Sequence, residues 1–261
     1  MALNVTRVLQ LLIVGAVAAA PPPIVPLAMA EDFRVENRMF SGDREDTAAH
    51  STTIFCQGVV YDYLQQPAEA ILFERAASQF TVLDAARRVR TELTTAEVGA
   101  FTEKLQQWAS RHRDPFMKFM AAPQFDDRSE KSSGKLELVS PWMTYRATLA
   151  PATGRELAEQ YREFSDWYAR LNSVLNPGSR PPFPRLWLNA ALAGRGTIAQ
   201  EVELTLKPAS ANAPKQPVLR TRHELIRPLT QVDFARIAET RRSIATSKPV
   251  GFEQYRKAGD R

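Results

Sequence analysis

Apolar and polar residues alternate from Phe33 to Phe40, which predicts a strand with one solvated face. A polar loop, Ser41 to His50, separates it from two short apolar runs, Thr52 to Cys56 and Val59 to Leu64. Gln57-Gly58 lies between those runs, and a glycine at such a two-residue junction supplies the positive φ of a tight hairpin turn. Ala70 to Glu74 and Gln79 to Asp84 form a second pair, and Arg88 to Leu93 extends it. Strands this close, with no helix between them, can pair only antiparallel.

The period then changes. Thr94-Thr95-Ala96-Glu97 reads as a capping box, in which threonine and glutamate satisfy each other's backbone amides. Val98, Phe101, Leu105 and Trp108 follow at steps of three and four, one face of a helix. Pro115 restarts a short helical piece that stops at Pro123, and Gln124 to Ser133 is charged and loop-like. Gly134 to Val139 and Trp142 to Leu149 read as strands. Thr153 to Glu156 repeats the capping-box pattern and opens the longest helix, whose stripe is Leu157, Tyr161, Phe164, Tyr168, Leu171 and Leu175. A helix at Leu186 to Leu192 follows, then strands at Ile198 to Leu206 and Val218 to Ile226, and a helix at Asp233 to Ile244. Residues from Ala245 onward are expected to fray. The order predicts an α+β fold: one antiparallel sheet covered on one face by helices.

Ahead of the first strand the pattern is different. Val8 to Ala20 is uncharged and apolar after a short start carrying Arg7. That length suits the core of a secretory signal and falls short of the ~20 residues that span a bilayer. Three prolines, Pro21 to Pro23, end any helix there, and Ala28-Met29-Ala30 places small residues where a signal peptidase needs them. The expectation is a cleavable signal at residues 1–30, one α+β domain at 31–245 and a flexible tail at 246–261. The protein is then exported to the periplasm or cell envelope, with no membrane anchor once the signal is removed.

Composition narrows the function further. Removing residues 1–30 takes away one cation, Arg7, and no acid, so the formal charge falls from +5 to +4. Cations and acids are interspersed, and the basic stretches at Arg87 to Arg90 and Arg236 to Arg242 lack the interleaved aromatics of a single-strand nucleic-acid platform. No nucleic-acid partner is expected. The single cysteine, Cys56, cannot form an internal disulfide and sits in a strand as a small hydrophobe.

No catalytic, metal or cofactor residues emerge. The sequence has neither a Gly-x-Ser-x-Gly elbow nor a phosphate-binding loop. His50, His112 and His223 lack the spacing of a zinc site. Asp126-Asp127 would point to opposite faces of an extended chain, and Asp62, Glu74 and Asp84 read as solvated positions on the meander.

The run Gly58-Val59-Val60-Tyr61-Asp62-Tyr63, followed by Gln79-Phe80-Thr81-Val82-Leu83-Asp84 and, much later, by Gly196-Thr197-Ile198 with a two-strand finish, resembles the incomplete β-barrel of the LolA-like superfamily of periplasmic lipoprotein carriers. The resemblance spans most of Ser51 to Leu93 and Arg195 to Ile226. The chain departs from that pattern in lacking a helix before its first strand and in carrying a long helical insert, Gly154 to Gly194. What the resemblance implies is that the α+β sheet is a curved antiparallel sheet (half-barrel) covered on one face by helices, with an apolar cavity for acyl chains or another hydrophobic ligand. Phe101, Trp108, Tyr161, Phe164 and Tyr168 are the candidate lining residues. The expected function is a non-catalytic envelope protein holding a lipid or hydrophobic ligand. The alternatives are an interaction module with a filled core that meets an envelope partner, through Trp142/Tyr145 or Pro181 to Trp187, and a hydrolase.

Overall fold

The computed structural model describes residues 31–42, 47–65, 68–130, 133–151, 153–207 and 218–257. The expected signal segment lies outside the described residues.

The meander folds as its pattern dictates. β1 (Phe33–Ser41), β2 (Ala49–Cys56), β3 (Val59–Leu64), β4 (Glu69–Glu74), β5 (Gln79–Asp84) and β6 (Val89–Thr94) pair in sequence order, each antiparallel to the last. Gln57 and Gly58 have φ of 52° and 76°, the two positive values that let a two-residue turn follow the right-handed twist of its strands. Asp84 shapes the turn into β6, accepting from the Arg87 amide at 2.8 Å and from Arg87 Nε at 2.6 Å.

α1 (Thr95–Ser110) follows with the predicted capping box: Thr94 accepts from the Glu97 amide, and Glu97 accepts from the Thr94 amide at 2.7 Å. The buried side of α1 is Val98, Thr102 and Ala109, one position round from the predicted stripe. α2 (Pro115–Ala121) leads to β7 (Asp126–Asp127), which pairs with β8 (Lys135–Val139) where the sequence reads as a loop. β8 pairs with β9 (Met143–Leu149). α3 (Arg155–Leu175) starts without its predicted cap: Gly154 takes the capping position with φ of 93°, and the buried Thr153 hydroxyl has no hydrogen-bond partner among the described residues. α4 (Phe183–Ala193) begins three residues earlier than its apolar run, because Pro184 suits a helix's first turn. β10 (Ala199–Leu206), β11 (Leu219–Ile226) and α5 (Gln231–Thr246) complete the main body.

Among the described residues, all strands join one open sheet of order β12-β6-β5-β4-β3-β2-β1-β11-β10-β9-β8-β7. Its junction is β1, which pairs with β2 on one side and with β11, almost 200 positions later, on the other. The α+β class and the curved antiparallel sheet are as the sequence predicts.

Two core clusters share the face covered by α3 and α4. In one, Phe55, Phe73 and Phe80 pack against Leu157, Phe164 and Leu171 of α3. In the other, Leu138, Met143 and Val202 pack against Leu188 and Leu192 of α4. Each large apolar side chain so buried contributes roughly 1.5–3 kcal/mol. α5 is an addition to the expected layering. It lies on the opposite face, where Ile237 packs on Ile54, Tyr61 and Leu72.

The C-terminal segment does not fray where expected. β12 (Lys248–Pro249) runs parallel to β6, held by Lys248 N–H to Arg88 O and Val250 N–H to Arg90 O, both at 2.9 Å. α6 (Phe252–Lys257) then buries Tyr255, whose hydroxyl donates to Glu69 Oε2 at 2.6 Å. The aromatic residues at 252 and 255 provide the apolar contact that a fraying end lacks. Among the described residues, no helix is long and apolar enough to cross a membrane.

Candidate functional site: a cavity between the sheet and two helices

Side chains alternate along a strand, so Asn37 of β1, Ser51 and Thr53 of β2, Asp62 of β3 and His223 of β11 come to one face of four adjacent strands. They link in one direction. The Asn37 amide oxygen pairs with His223 Nδ1 at 2.7 Å. Its Nδ2 donates to Thr53 Oγ1 at 3.0 Å and to Ser51 Oγ at 3.2 Å. Thr53 Oγ1 in turn donates to Asp62 Oδ1 at 2.6 Å. With the Asn37 nitrogen committed to two hydroxyls, its oxygen accepts, so His223 carries its proton on Nδ1 and leaves Nε2 as an acceptor.

Burial sets the charge of this row. Asp62 is fully buried, which raises its pKa from 3.8 to about 6 against the opposing pull of the Thr53, Tyr168 and Ser51 hydroxyls and of Arg236. Among the described residues, no group meets hydrogen-bond geometry at its second oxygen, Oδ2. His223 is pushed down to about 3, first by burial and then by the Arg185 charge, so it is neutral at physiological pH.

Above this polar row lies a hollow of about 430 Å³. Tyr161, Phe164 and Tyr168 of α3 form its roof, and Met143, Tyr145, Val202, Leu204 and Leu219 carry an apolar wall along β9 to β11. That volume is within the range of cavities that take drug-sized molecules, and the mixture of apolar walls with a few fixed polar groups is typical of them. Arg180 and Arg185 enter from the segment that begins α4. Arg185 Nε donates to Asn189 Oδ1 at 2.9 Å, and Asn189 Nδ2 donates to Asp166 Oδ1 at 2.9 Å.

The structure divides the sequence-predicted lining residues. Tyr161, Phe164 and Tyr168 are brought together on the hollow. Phe164 is 5% exposed and meets Phe55 edge-on at 5.7 Å and Tyr168 at 5.4 Å. Phe101 and Trp108 are not part of it: they are 39% and 54% exposed on the outer side of α1, because that helix turns Val98, Thr102 and Ala109 inward. Tyr145, expected on a surface patch with Trp142, is buried and lines the hollow. Asp62 is inside as well, not solvated. Its signal was available: Val59-Val60-Tyr61-Asp62-Tyr63-Leu64 has almost no polar position, the mark of a strand covered on both faces.

No protein-family model matches the chain, and no curated protein matches it. Among solved structures, a LolA superfamily protein from Nitrosomonas europaea aligns over 78% of this chain and 90% of its own, at 9% identity and a TM-score of 0.27. A likeness at that level carries no functional information, so function rests on the cavity itself.

Proposed function

We propose that this chain is an exported, non-catalytic protein of the cell envelope that holds a hydrophobic ligand between its sheet and α3. The observation that carries this reading is the 430 Å³ hollow roofed by Tyr161, Phe164 and Tyr168. A filled core at that place would favour the interaction module, and close packing is what protein interiors ordinarily achieve. Export is supported by the sequence of residues 1–30 and not by the fold.

The test is made on protein recovered after expression with its full N-terminus in a bacterial host. Mass spectrometry of an organic extract is expected to show an acyl or other apolar species in stoichiometric amount. An environment-sensitive apolar dye is expected to bind the emptied protein and to lose affinity in Phe164→Trp, which fills the hollow. N-terminal sequencing is expected to begin at Glu31. An empty extract together with dye binding indifferent to the filled hollow overturns the binding reading. Retention of Met1 in cytoplasmic protein overturns the export reading alone.

A further inference from the structure

The hollow is electrically lopsided. Its buried carboxylate, Asp62, sits on the sheet among three hydroxyl-bearing side chains, with Thr53 donating to it at 2.6 Å. The two cations are Arg180, exposed just ahead of α4, and Arg185, in the first turn of α4, and neither has a carboxylate within ion-pair distance among the described residues. Arg185 is half-buried and, among the described residues, spends only Nε, on the neutral Asn189 side chain. Its terminal nitrogens keep their donors.

Pro181 restricts the backbone of Arg180 before it, and the first turn of α4 holds that of Arg185, so both guanidinium groups start from a restrained backbone. An arginine fork with donors to spare beside an apolar cavity matches a planar or tetrahedral oxyanion. A cationic head would meet the same two charges as repulsion. An anion would avoid the Asp62 end for the same reason, which sets the ligand's direction: head towards α4, tail along the aromatic roof.

Resting on the binding reading above, we propose that the ligand is an anionic amphiphile. Its carboxylate or phosphate is taken by Arg180 and Arg185, and its apolar tail lies against Tyr161, Phe164 and Tyr168. Neutral and cationic amphiphiles with the same tail are the poorer ligands.

Binding of decanoate, decyl phosphate, decanol and decylamine to the emptied protein tests this at pH 7.5, each by displacement of the apolar dye. Inorganic phosphate and acetate serve as tailless anions. The two anionic amphiphiles are expected to bind about tenfold tighter than decanol, the worth of one charge-assisted hydrogen bond. Decylamine is expected to be weakest, and the tailless anions are not expected to compete. Arg180→Gln/Arg185→Gln should level acid and alcohol, and a cooperative thermal unfolding transition with an unaltered far-ultraviolet spectrum shows that the variant is folded. Equal binding of acid and alcohol by the unaltered protein overturns the anionic head and leaves the hydrophobic cavity standing. Competition by inorganic phosphate or acetate as strong as by the amphiphiles also overturns it, by showing an ion site without a tail. Failure of all four amphiphiles overturns the cavity reading itself.

Discussion

Thr53 and Asp62 face each other across the β2–β3 pair, and the 2.6 Å hydrogen bond between them lies in a fully buried place. A carboxylate held there is unusual unless its surroundings stabilise the charge, and here burial outweighs them, moving its pKa from 3.8 to about 6. A raised carboxylate pKa means that the folded state holds its proton more tightly than the unfolded state. Stability contributed by Asp62 is therefore full below pH 3.8 and is lost as pH rises towards 6. Asp62→Asn is expected to be more stable than the parent at pH 7.5 by up to about 3 kcal/mol, the free-energy equivalent of moving the carboxyl pKa from 3.8 to about 6. The gap should close by pH 4. Urea unfolding at the two pH values measures it. A gap that stays constant with pH would show that Asp62 titrates normally.

The two predicted capping boxes make a matched pair. Thr94 caps α1 in full, whereas Thr153 caps nothing and Gly154 starts α3 in its place. Thr94→Ala should cost about 1 kcal/mol. Thr153→Ala should be neutral or slightly stabilising, because it removes a buried hydroxyl without a partner among the described residues. Thermal unfolding of the two variants side by side gives the comparison, and equal losses would contradict the structure.

Aromatic residues of similar sequence pattern should differ sharply in stability. Phe164→Ala removes a ring packed on Phe55, Phe73 and Tyr168 and is expected to cost roughly 3 kcal/mol. Phe101→Ala and Trp108→Ala remove exposed rings and should stay within about 0.5 kcal/mol. Denaturant midpoints decide it, and a large loss at Trp108 would mean that α1 buries its other side.

Tyr255 ties the last helix to the sheet through Glu69, whose pKa is raised by burial and partly restored by the tyrosine hydroxyl. Tyr255→Phe leaves that carboxylate without its donor. The expected loss at neutral pH is about 1–2 kcal/mol. Hydrogen exchange of the β6 amides should quicken at the same time, and unchanged exchange would detach α6 from the stability of the sheet.

What the sequence discloses depends on how local each feature is. The Gln57-Gly58 turn and the α1 cap are settled by two to four neighbouring residues, and both form as read. The pairing of β1 with β11 is not written locally, since either strand could equally face solvent. The same holds for the polar row: Asn37, Thr53, Asp62 and His223 have meaning only once four strands are side by side. Phe101 and Trp108 misled because a three- and four-residue spacing fits two adjacent helix faces. The choice fell to the one bearing the smaller Thr102 and Ala109, which allow α1 to approach its neighbours. The aromatic stripe of α3 had no such competitor, and Tyr161, Phe164 and Tyr168 all reach the hollow.

The described residues form an open sheet of twelve strands with two borders, and a border offers unspent backbone donors and acceptors to any passing extended chain. Here both borders are poor templates. At one, β7 is two residues long and presents two adjacent carboxylates, Asp126 and Asp127. At the other, β12 is also two residues long and consists of a lysine and a proline, the latter with no N–H to offer. The C-terminal segment thus serves as a guard against fibril-like addition. Cutting it away would leave the full length of β6 bare, and the first symptom would be self-association rather than loss of the cavity.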